Sequence, residues 1–248
     1  MRKLASIILF LAILFDSFGQ SKNSPLQISH LTGDFYVYKT FHDYKGTLIS
    51  ANAMYLVTDK GVVLFDAPWD QTQFQPLLDT IKAKHNKEVV MYFATHSHED
   101  RAGGLNFYRQ KGIKTYAIQA TDQILKKENQ KRAEFIIPND TIFNVGQYNF
   151  EVYYPGKGHA PDNIVVWFDK EKVLYGGCFI KSTEAKELGY LGDADVKEWE
   201  KSIKKVQSKF KSPKYIITGH DDWKDLTSLE YTLKLVQKFN AAQTSGKK

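Results

Sequence analysis

The sequence has one cysteine, Cys178, among its 248 residues. A disulfide requires two cysteines, so the chain cannot depend on an internal disulfide framework for its stability. In an oxidising compartment a single thiol is a hazard unless it is buried or bound to something. Cys178 is therefore a residue whose surroundings need an explanation.

Beyond its N-terminus the sequence also lacks an apolar run of the roughly 20 residues that a membrane-spanning helix needs. The apolar run at residues 4–15 is too short, follows Arg2 and Lys3, and precedes small or polar residues up to Gln20. This order is typical of a secretory signal peptide. We therefore predict a signal peptide at residues 1–19 and a mature protein in the periplasm, with an N-terminal anchor or a disordered leader as the alternatives.

Internal repeats, low-complexity blocks and linkers rich in Pro, Gly or Ser are absent, which favours a single domain over residues 20–248. The formal net charge is +6, but no basic block is interleaved with stacking aromatic residues. The scattered lysines are typical of solvated helix faces. We expect no nucleic-acid partner and no membrane span, and we expect a monomer.

The spacing of apolar residues predicts more strands than helices, with the two kinds interleaved. Two apolar stretches flank Asp59-Lys60-Gly61, a strong turn signal for a β-hairpin. Residues 89–94 form a short apolar run that is typical of a buried strand. This pattern favours sheets covered by helices, in an α/β or α+β arrangement. The predicted helices span residues 72–83, 103–110, 119–127, 196–210 and 228–242.

Four predicted strands each end just before a residue that can bind a metal. Loops at strand ends are where protein scaffolds commonly place ligands. Four such residues at the same relative position are hard to attribute to chance. They are His96, His159, Cys178 and His220.

The run His96-Ser97-His98-Glu99-Asp100 adds ligands at alternate positions, while Glu99 points away from them. Zinc accepts nitrogen from His, sulfur from Cys and oxygen from Asp, and a catalytic zinc keeps one position open for water. Two neighbouring metals can share a hydroxide that is nucleophilic near neutral pH. Three protein ligands for each of two metals would come from His96, His98, Asp100, His159, Cys178 and His220.

The segment Thr95-His96-Ser97-His98-Glu99-Asp100-Arg101-Ala102-Gly103-Gly104 resembles the signature of the metallo-β-lactamase superfamily. Many members carry a second histidine directly after the motif aspartate, where this chain has Arg101. The combination of Arg101, Cys178 and Lys181 resembles the class B β-lactamases whose second zinc is bound by Asp, Cys and His. The loop at residues 156–163 and the run Gly192-Asp193-Ala194-Asp195 match that subclass as well.

This resemblance implies an α/β fold, an αββα sandwich of two mixed β-sheets flanked by helices. It also implies two Zn²⁺ cofactors and hydrolysis of the β-lactam amide bond by a zinc-bound hydroxide. Penicillins, cephalosporins and carbapenems would be the small-molecule substrates, and antibiotic resistance the outcome. The first zinc would be held by His96, His98 and His159, and the second by Asp100, Cys178 and His220. Asp100 would also be a catalytic residue that orients the hydroxide.

The resemblance implies substrate contacts at further positions. Lys181 would pair with the substrate carboxylate as a point charge, and a solvent-exposed lysine is the alternative. Tyr44 would touch the substrate from a mobile loop at residues 41–47 that Gly46 could hinge, and Trp69 would line the same site. The alternative is that residues 41–47 are a simple hairpin tip with no contact to substrate, and the sequence fits both equally.

Asp66 matches an aspartate that supports the metal-binding loop in the family, with a turn-capping carboxylate as the alternative. Tyr190 departs from the family pattern, which commonly has Asn there as a donor to the substrate. A phenol is larger and donates one hydrogen bond, so an oxyanion role for a side chain is in doubt. We expect Tyr190 to affect substrate preference more than overall activity.

Three other functions fit parts of the pattern. A zinc thioesterase or glyoxalase-like hydrolase would be expected to have His in place of Arg101. A zinc nuclease would need a basic face along the site and usually lacks a cysteine ligand. A non-catalytic zinc-binding periplasmic protein fits less well, because six ligands for two metals leave coordination positions open.

Overall fold

The computed structural model of the protein describes residues 26–245, so the predicted signal peptide lies outside the described residues. Among those described, no helix is both long enough and apolar enough to cross a membrane.

The strands are β1 (Leu26–Thr32), β2 (Phe35–Tyr44), β3 (Thr47–Thr58), β4 (Gly61–Phe65), β5 (Val89–Phe93), β6 (Lys114–Ile118), β7 (Phe135–Ile137), β8 (Asp140–Val145), β9 (Tyr148–Tyr153), β10 (Val165–Phe168), β11 (Val173–Gly177) and β12 (Tyr215–Thr218). The α-helices are α1 (Phe74–His85), α2 (Glu99–Ala102), α3 (Leu105–Gln110), α4 (Gln119–Lys127), α5 (Val196–Lys209) and α6 (Ser228–Ser245).

These strands form two mixed sheets. The first sheet has seven strands in the order β1-β2-β3-β4-β5-β6-β7, and the second has five in the order β12-β11-β10-β9-β8. In the first sheet β1 to β4 are antiparallel neighbours, whereas β4 to β7 run parallel. In the second sheet β11 and β12 are parallel, and the other neighbours are antiparallel.

The two sheets pack face to face, and helices cover the outer face of each. The central core includes Phe65 and Phe93 from the first sheet and Phe150 and Phe168 from the second. The outer face of the seven-stranded sheet packs against α1, α3 and α4, and that of the five-stranded sheet packs against α5 and α6. Each sheet thus buries apolar residues on both faces. This αββα sandwich confirms the predicted fold class.

The bounds of the five predicted helices agree closely with the structure, and the differences have local causes. Helix α4 covers the predicted residues 119–127. Helix α1 begins at Phe74 rather than at Thr72, because residues 71–73 form a 3₁₀ turn that the side chain of Asp70 caps. Strand β7 has no counterpart in the sequence prediction, because three residues are too few to show a period.

Residues 41–47 form the end of a β-hairpin. Strands β2 and β3 stay paired up to Tyr44 and Thr47. Lys45 and Gly46 make the turn, with φ of +54° and +80°. Positive φ at both central residues is what a two-residue turn of type I′ requires. Residues 41–47 therefore form the tip of a hairpin, and contact of Tyr44 with substrate stays a prediction.

Candidate metal centre

The candidate ligands follow strand ends that the sheet topology brings together. Strands β9 and β11 are both antiparallel to β10, and β12 is parallel to β11, so all three end at the same edge of the five-stranded sheet. His159, Cys178 and His220 follow those three ends. The loop after β5, in the other sheet, carries His96 and leads into α2. Both sheets therefore contribute loops to one place.

Three histidines form the first group of potential ligands. Ring nitrogens of His96, His98 and His159 all lie within 4.8 Å of one another, and His96 Nε2 is 3.1 Å from His98 Nδ1. Burial holds the pKa of His96 and that of His159 well below the usual value, and electrostatic interactions with His98 and Lys181, respectively, lower the two pKa values further. These two imidazoles are therefore neutral near pH 7, which is the state that binds a metal.

A sulfur, a carboxylate and an imidazole form the second group. Cys178 Sγ lies 3.5 Å from Asp100 Oδ2 and 3.2 Å from His220 Nε2, and His220 Nε2 lies 3.4 Å from Asp100 Oδ2. Burial alone would raise the pKa of Asp100, but Arg101 and His220 hold it well below its usual value. Burial alone would lower the pKa of His220, but Cys178 and Asp100 raise it to about 9.

The two groups are neighbours rather than separate sites. A ring nitrogen of His96 also lies within 4.8 Å of the ligand atoms of Asp100 and Cys178. His96 therefore stands at the boundary between the groups. Adjacent metal positions are the arrangement in which two metals can act on the same substrate.

In two of the histidines, the ring nitrogen that faces away from the other potential ligands has a hydrogen-bond partner. These partners show that the donor set fits a metal. His220 Nδ1 lies 2.6 Å from the carbonyl oxygen of Ser50, so Nδ1 is the donor there and Nε2 is left for a ligand bond. His98 Nε2 lies 3.0 Å from the Asp193 carboxylate, which leaves Nδ1 for a ligand bond. Histidine ligands of metals typically donate their second ring N–H to a carboxylate or a carbonyl. Nitrogen, sulfur and oxygen donors in these proportions match the preferences of zinc.

Arg101 lies fully buried against the second group. Its Nε is 3.0 Å from Asp100 Oδ2 and 3.2 Å from Cys178 Sγ. Its terminal nitrogens donate to the carbonyl oxygens of Asn52 at 2.6 Å and Gly219 at 2.8 Å. The guanidinium offsets the charge of Asp100 and joins helix α2 to strand β3 and to the loops that carry Cys178 and Gly219. Arg101 therefore supports the ligands without being one.

Asp66 supports the loop that carries His96. Its carboxylate accepts hydrogen bonds from the N–H of Thr95 at 2.7 Å, from the Thr95 hydroxyl at 2.8 Å and from the Tyr175 hydroxyl at 2.7 Å. Burial raises the pKa of Asp66 to about 6, although Arg101 and these three hydrogen bonds lower it. The contacts of Asp66 therefore hold the residue that immediately precedes the first ligand.

Gly219 lets two ligand loops approach each other closely. A side chain at this position would begin only 2.6 Å from the backbone nitrogen of Cys178, which is closer than real contacts allow. Glycine is therefore required here for Cys178 and His220 to meet.

A groove of about 1600 Å³ lies over the metal-binding groups and is lined in part by His98, Asp100, His159 and His220. The predicted substrate-contacting residues line the same groove. They are Lys181, Tyr190, Tyr44 and Trp69.

Lys181 is only 8% exposed, so it is not a solvated surface lysine. Its Nζ lies 5.5 Å above the ring of Trp199. Burial lowers the pKa of Lys181, although Cys178 and Asp100 oppose this effect. Among residues 26–245, no carboxylate forms an ion pair with its ammonium group. The charge is therefore available to an anion that enters the groove.

Aromatic rings form the walls of the groove. The Trp69 ring lies 4.7 Å from the ring of His42, 5.9 Å from that of Tyr44 and 6.0 Å from that of His220. On the opposite loop, the ring of Tyr190 stands edge-on to His98, with centroids 5.5 Å apart. The Tyr190 hydroxyl occupies the space in which a side chain on Gly192 would begin, so it folds back over its own loop.

Several residues that position the ligands carry no local signal in the sequence. Tyr175 reaches Asp66 across 109 positions of the chain, and Ser50 reaches His220 across 170. Asp193 reaches His98 across 95 positions. Of these residues, only Asp193 could have been singled out from the sequence, because it lies in a run that matches the family.

The arrangement of the whole site suits hydrolysis of a small anionic molecule, since each metal would keep positions open for water and substrate.

Comparisons with known proteins agree with this geometry. A profile of the Metallo-beta-lactamase superfamily matches residues 46–220. The chain is 47% identical over 231 residues to a metallo-beta-lactamase type 2 from Elizabethkingia meningoseptica, covering 93% of this chain and 92% of the relative. It is 46% identical over 228 residues to metallo-beta-lactamase IND-1 from Chryseobacterium indologenes, covering 92% and 95%. The crystal structure of metallo-beta-lactamase IND-7 superimposes with a TM-score of 0.84 at 47% identity, covering 88% of this chain and 100% of that one.

Proposed function

The chain belongs to the metallo-β-lactamase superfamily, and we propose that it is a class B enzyme that hydrolyses the β-lactam amide bond with two Zn²⁺. Penicillins, cephalosporins and carbapenems would be its substrates, and antibiotic resistance its effect. The observation that carries this proposal is the meeting of Asp100, Cys178 and His220 within 3.5 Å, against the buried guanidinium of Arg101.

The two groups of side chains would hold one metal each. His96, His98 and His159 would bind the first, and Asp100, Cys178 and His220 the second. When bound, the metals supply a water that loses its proton near neutral pH and a positive charge that polarises the reacting carbonyl.

Asp100 would also orient the attacking water. Its Oδ2 faces Arg101, Cys178 and His220, which leaves the other carboxylate oxygen for a water. Its low pKa keeps the carboxylate ionised, so it acts as an acceptor throughout the attack. The proton that the attacking water loses would pass to Asp100 or to a water in the groove, and that group would then deliver it to the departing nitrogen.

Lys181 would bind the carboxylate that a β-lactam carries beside its reacting amide. Its ammonium lines the groove and has no carboxylate partner among the described residues. Trp69 and Tyr44 would form an apolar wall along the substrate. Tyr190 would narrow the opposite side, and its folded-back hydroxyl offers no obvious donor to the reacting oxygen.

A thioesterase or glyoxalase-like activity is less well supported. Such enzymes would place a histidine ligand after the motif aspartate. In this chain Arg101 occupies that position, is fully buried and directs its guanidinium to Asp100 and Cys178. A guanidinium cannot serve as a ligand.

A direct test is hydrolysis of a carbapenem and a cephalosporin by the purified zinc-loaded protein, followed by loss of activity with a chelator and recovery with zinc. We expect His159→Gln to reduce turnover by about 100-fold or more, whereas His30→Gln, outside the site, leaves it intact. Absence of hydrolysis by the fully loaded protein would overturn the proposal.

Export to the periplasm and a monomeric state belong to the same proposal. The basic start and short apolar run at residues 4–15 support export. N-terminal sequencing of the protein recovered from the periplasm should begin near Gln20, and size-exclusion chromatography with light scattering should give the mass of one chain. A retained Met1 or a dimer mass would argue against these two points.

A further inference from the structure

The groove over the metal groups is larger than one β-lactam nucleus requires. Its volume is about 1600 Å³, whereas small-molecule sites typically occupy roughly 300–1,000 Å³. The groove also extends along α2, because Glu99, Ala102 and Gly103 line it in addition to Asp100. Residues of α1, α3 and α4, which carry no metal ligand, line another part of it. We call this part the α3–α4 cleft.

Apolar side chains form the floor of the α3–α4 cleft. They are Phe74, Phe107 and Leu125. Phe74 and Leu125 are almost fully buried in the core beneath α1, α3 and α4, and Phe107 packs against the same core. The rings of Phe74 and Phe107 lie 5.4 Å apart. Of the three, only Phe107 exposes part of its ring, and because that ring packs against Phe74 in the core, it offers a preformed apolar patch rather than a mobile one.

Polar side chains form the rim of the α3–α4 cleft. They are Asn106, Glu128, Gln130 and Lys131. Within residues 26–245 none of these four side chains has a hydrogen-bonding or ionic partner. One positive charge, one negative charge and two amides give a rim with no net charge. Such a rim favours an uncharged group that both donates and accepts hydrogen bonds over a strongly ionic one.

The α3–α4 cleft and the metal groups share one continuous groove. Glu99 stands between them at the start of α2, and its carboxylate accepts a weak hydrogen bond from Gln71 Nε2 at 3.4 Å. Both side chains are exposed, so they can move without disturbing the core. A molecule whose reacting amide lies at the metal ligands can therefore extend past Glu99 into the cleft.

We propose that the α3–α4 cleft is a second substrate subsite, which binds the long, uncharged acylamino substituent of a β-lactam that carries a ring and amide groups. This inference rests on the proposed function, since it assigns part of the substrate of that site. The ring lies on Phe107, which Phe74 supports from beneath, and the amides meet Asn106 and Gln130. The subsite favours substrates with such a substituent over the bare nucleus.

The test compares two penams with the same nucleus. One is 6-aminopenicillanic acid, which has no acyl substituent, and the other is piperacillin, which has a long neutral one with a phenyl ring. The variant Asn106→Trp fills the cleft from its rim, and Asn106→Ala removes only the amide. Asn149→Trp is the matched control, because Asn149 is exposed on β9 and does not line the groove.

We expect Asn106→Trp to lower the kcat/KM of piperacillin relative to that of 6-aminopenicillanic acid by about fivefold or more, mainly through KM. Asn106→Ala should change this ratio in the same direction but less, and Asn149→Trp should not change it. An unchanged ratio in both Asn106 variants, with wild-type melting temperatures, would overturn the subsite and leave the lactamase activity standing. Failure of the wild-type enzyme to hydrolyse either penam would instead overturn the proposed function.

Discussion

The guanidinium Nε of Arg101 lies 3.2 Å from the sulfur of Cys178, and both side chains are shielded from solvent. The same nitrogen lies 3.0 Å from Asp100 Oδ2. One buried cation thus contacts two potential ligands of one metal. Residue 101 is directly adjacent to the first of them in the chain, whereas the second is 77 positions away.

Removal of this cation should destabilise the fold. Arg101→Ala leaves the buried carboxylate of Asp66 without its counter-charge and leaves Asp100 with His220 alone, and breaking a buried ion pair costs about 3–5 kcal/mol. We expect a loss of this size in urea unfolding of the metal-free protein. Arg109→Ala, on the exposed end of α3, is the control. A loss below about 1 kcal/mol would contradict the supporting role of Arg101.

The hydroxyl groups of two buried tyrosines should differ in their contribution to stability. Tyr175 donates to Asp66 at 2.7 Å, whereas the hydroxyl of Tyr108 is buried with no partner among the described residues. Tyr175→Phe should cost about 1–3 kcal/mol in free energy of unfolding, because it leaves a buried carboxylate oxygen with fewer donors. Tyr108→Phe should be neutral or stabilising. Equal losses in the two variants would refute the hydrogen-bond argument.

Metal affinity should depend on Asp193. Its carboxylate holds His98 Nε2 at 3.0 Å and so directs Nδ1 towards the other histidines. Loss of such a partner typically reduces metal affinity about 10- to 100-fold. We expect Asp193→Ala to weaken zinc binding by this factor in chelator competition, while Asp79→Ala, on the exposed side of α1, leaves it unchanged. Wild-type affinity in Asp193→Ala would contradict the prediction.

Metal uptake by the second group should release protons. The pKa of His220 is about 9 in the metal-free protein, because Cys178 and Asp100 favour its charged form. Below pH 9 the His220 ring is protonated and must lose that proton to bind a metal. The loss of this one proton should make the metal affinity rise about tenfold for each pH unit, and the rise should level off above pH 9. Calorimetry in buffers of different ionisation enthalpy measures the protons released. A pH-independent affinity between pH 6 and pH 8 would rule this out.

Tyr190 should determine substrate preference. Its ring stands edge-on to His98 and is 58% exposed in the groove, while its hydroxyl folds back over Gly192. Tyr190→Asn widens this side of the groove and adds an amide that can donate to substrate. We expect the ratio of kcat/KM between a carbapenem and a penicillin to change more than the mean activity. A large and uniform loss of turnover across substrates would count against this expectation.

Much of the candidate site could be predicted from local patterns. The alternation of His96, His98 and Asp100 is visible in five consecutive residues, and the apolar run before it predicts the strand that ends there. His159, Cys178 and His220 could be proposed because each follows a predicted strand, and the structure brings all three to the same edge. The length of the β2–β3 hairpin could not be predicted, because exposed strand ends show no apolar alternation.

The sequence by itself determined which residue types can bind metal and in what order they occur, because strand periodicity and ligand chemistry are local properties. Only the tertiary structure decided that Arg101 lies against Cys178, that Asp193 holds His98, and that the groove continues into the α3–α4 cleft. The physical reason is that these contacts join positions far apart in the chain. They exist only once the two sheets pack and bring their loops to one edge, where close approach and burial set the charges.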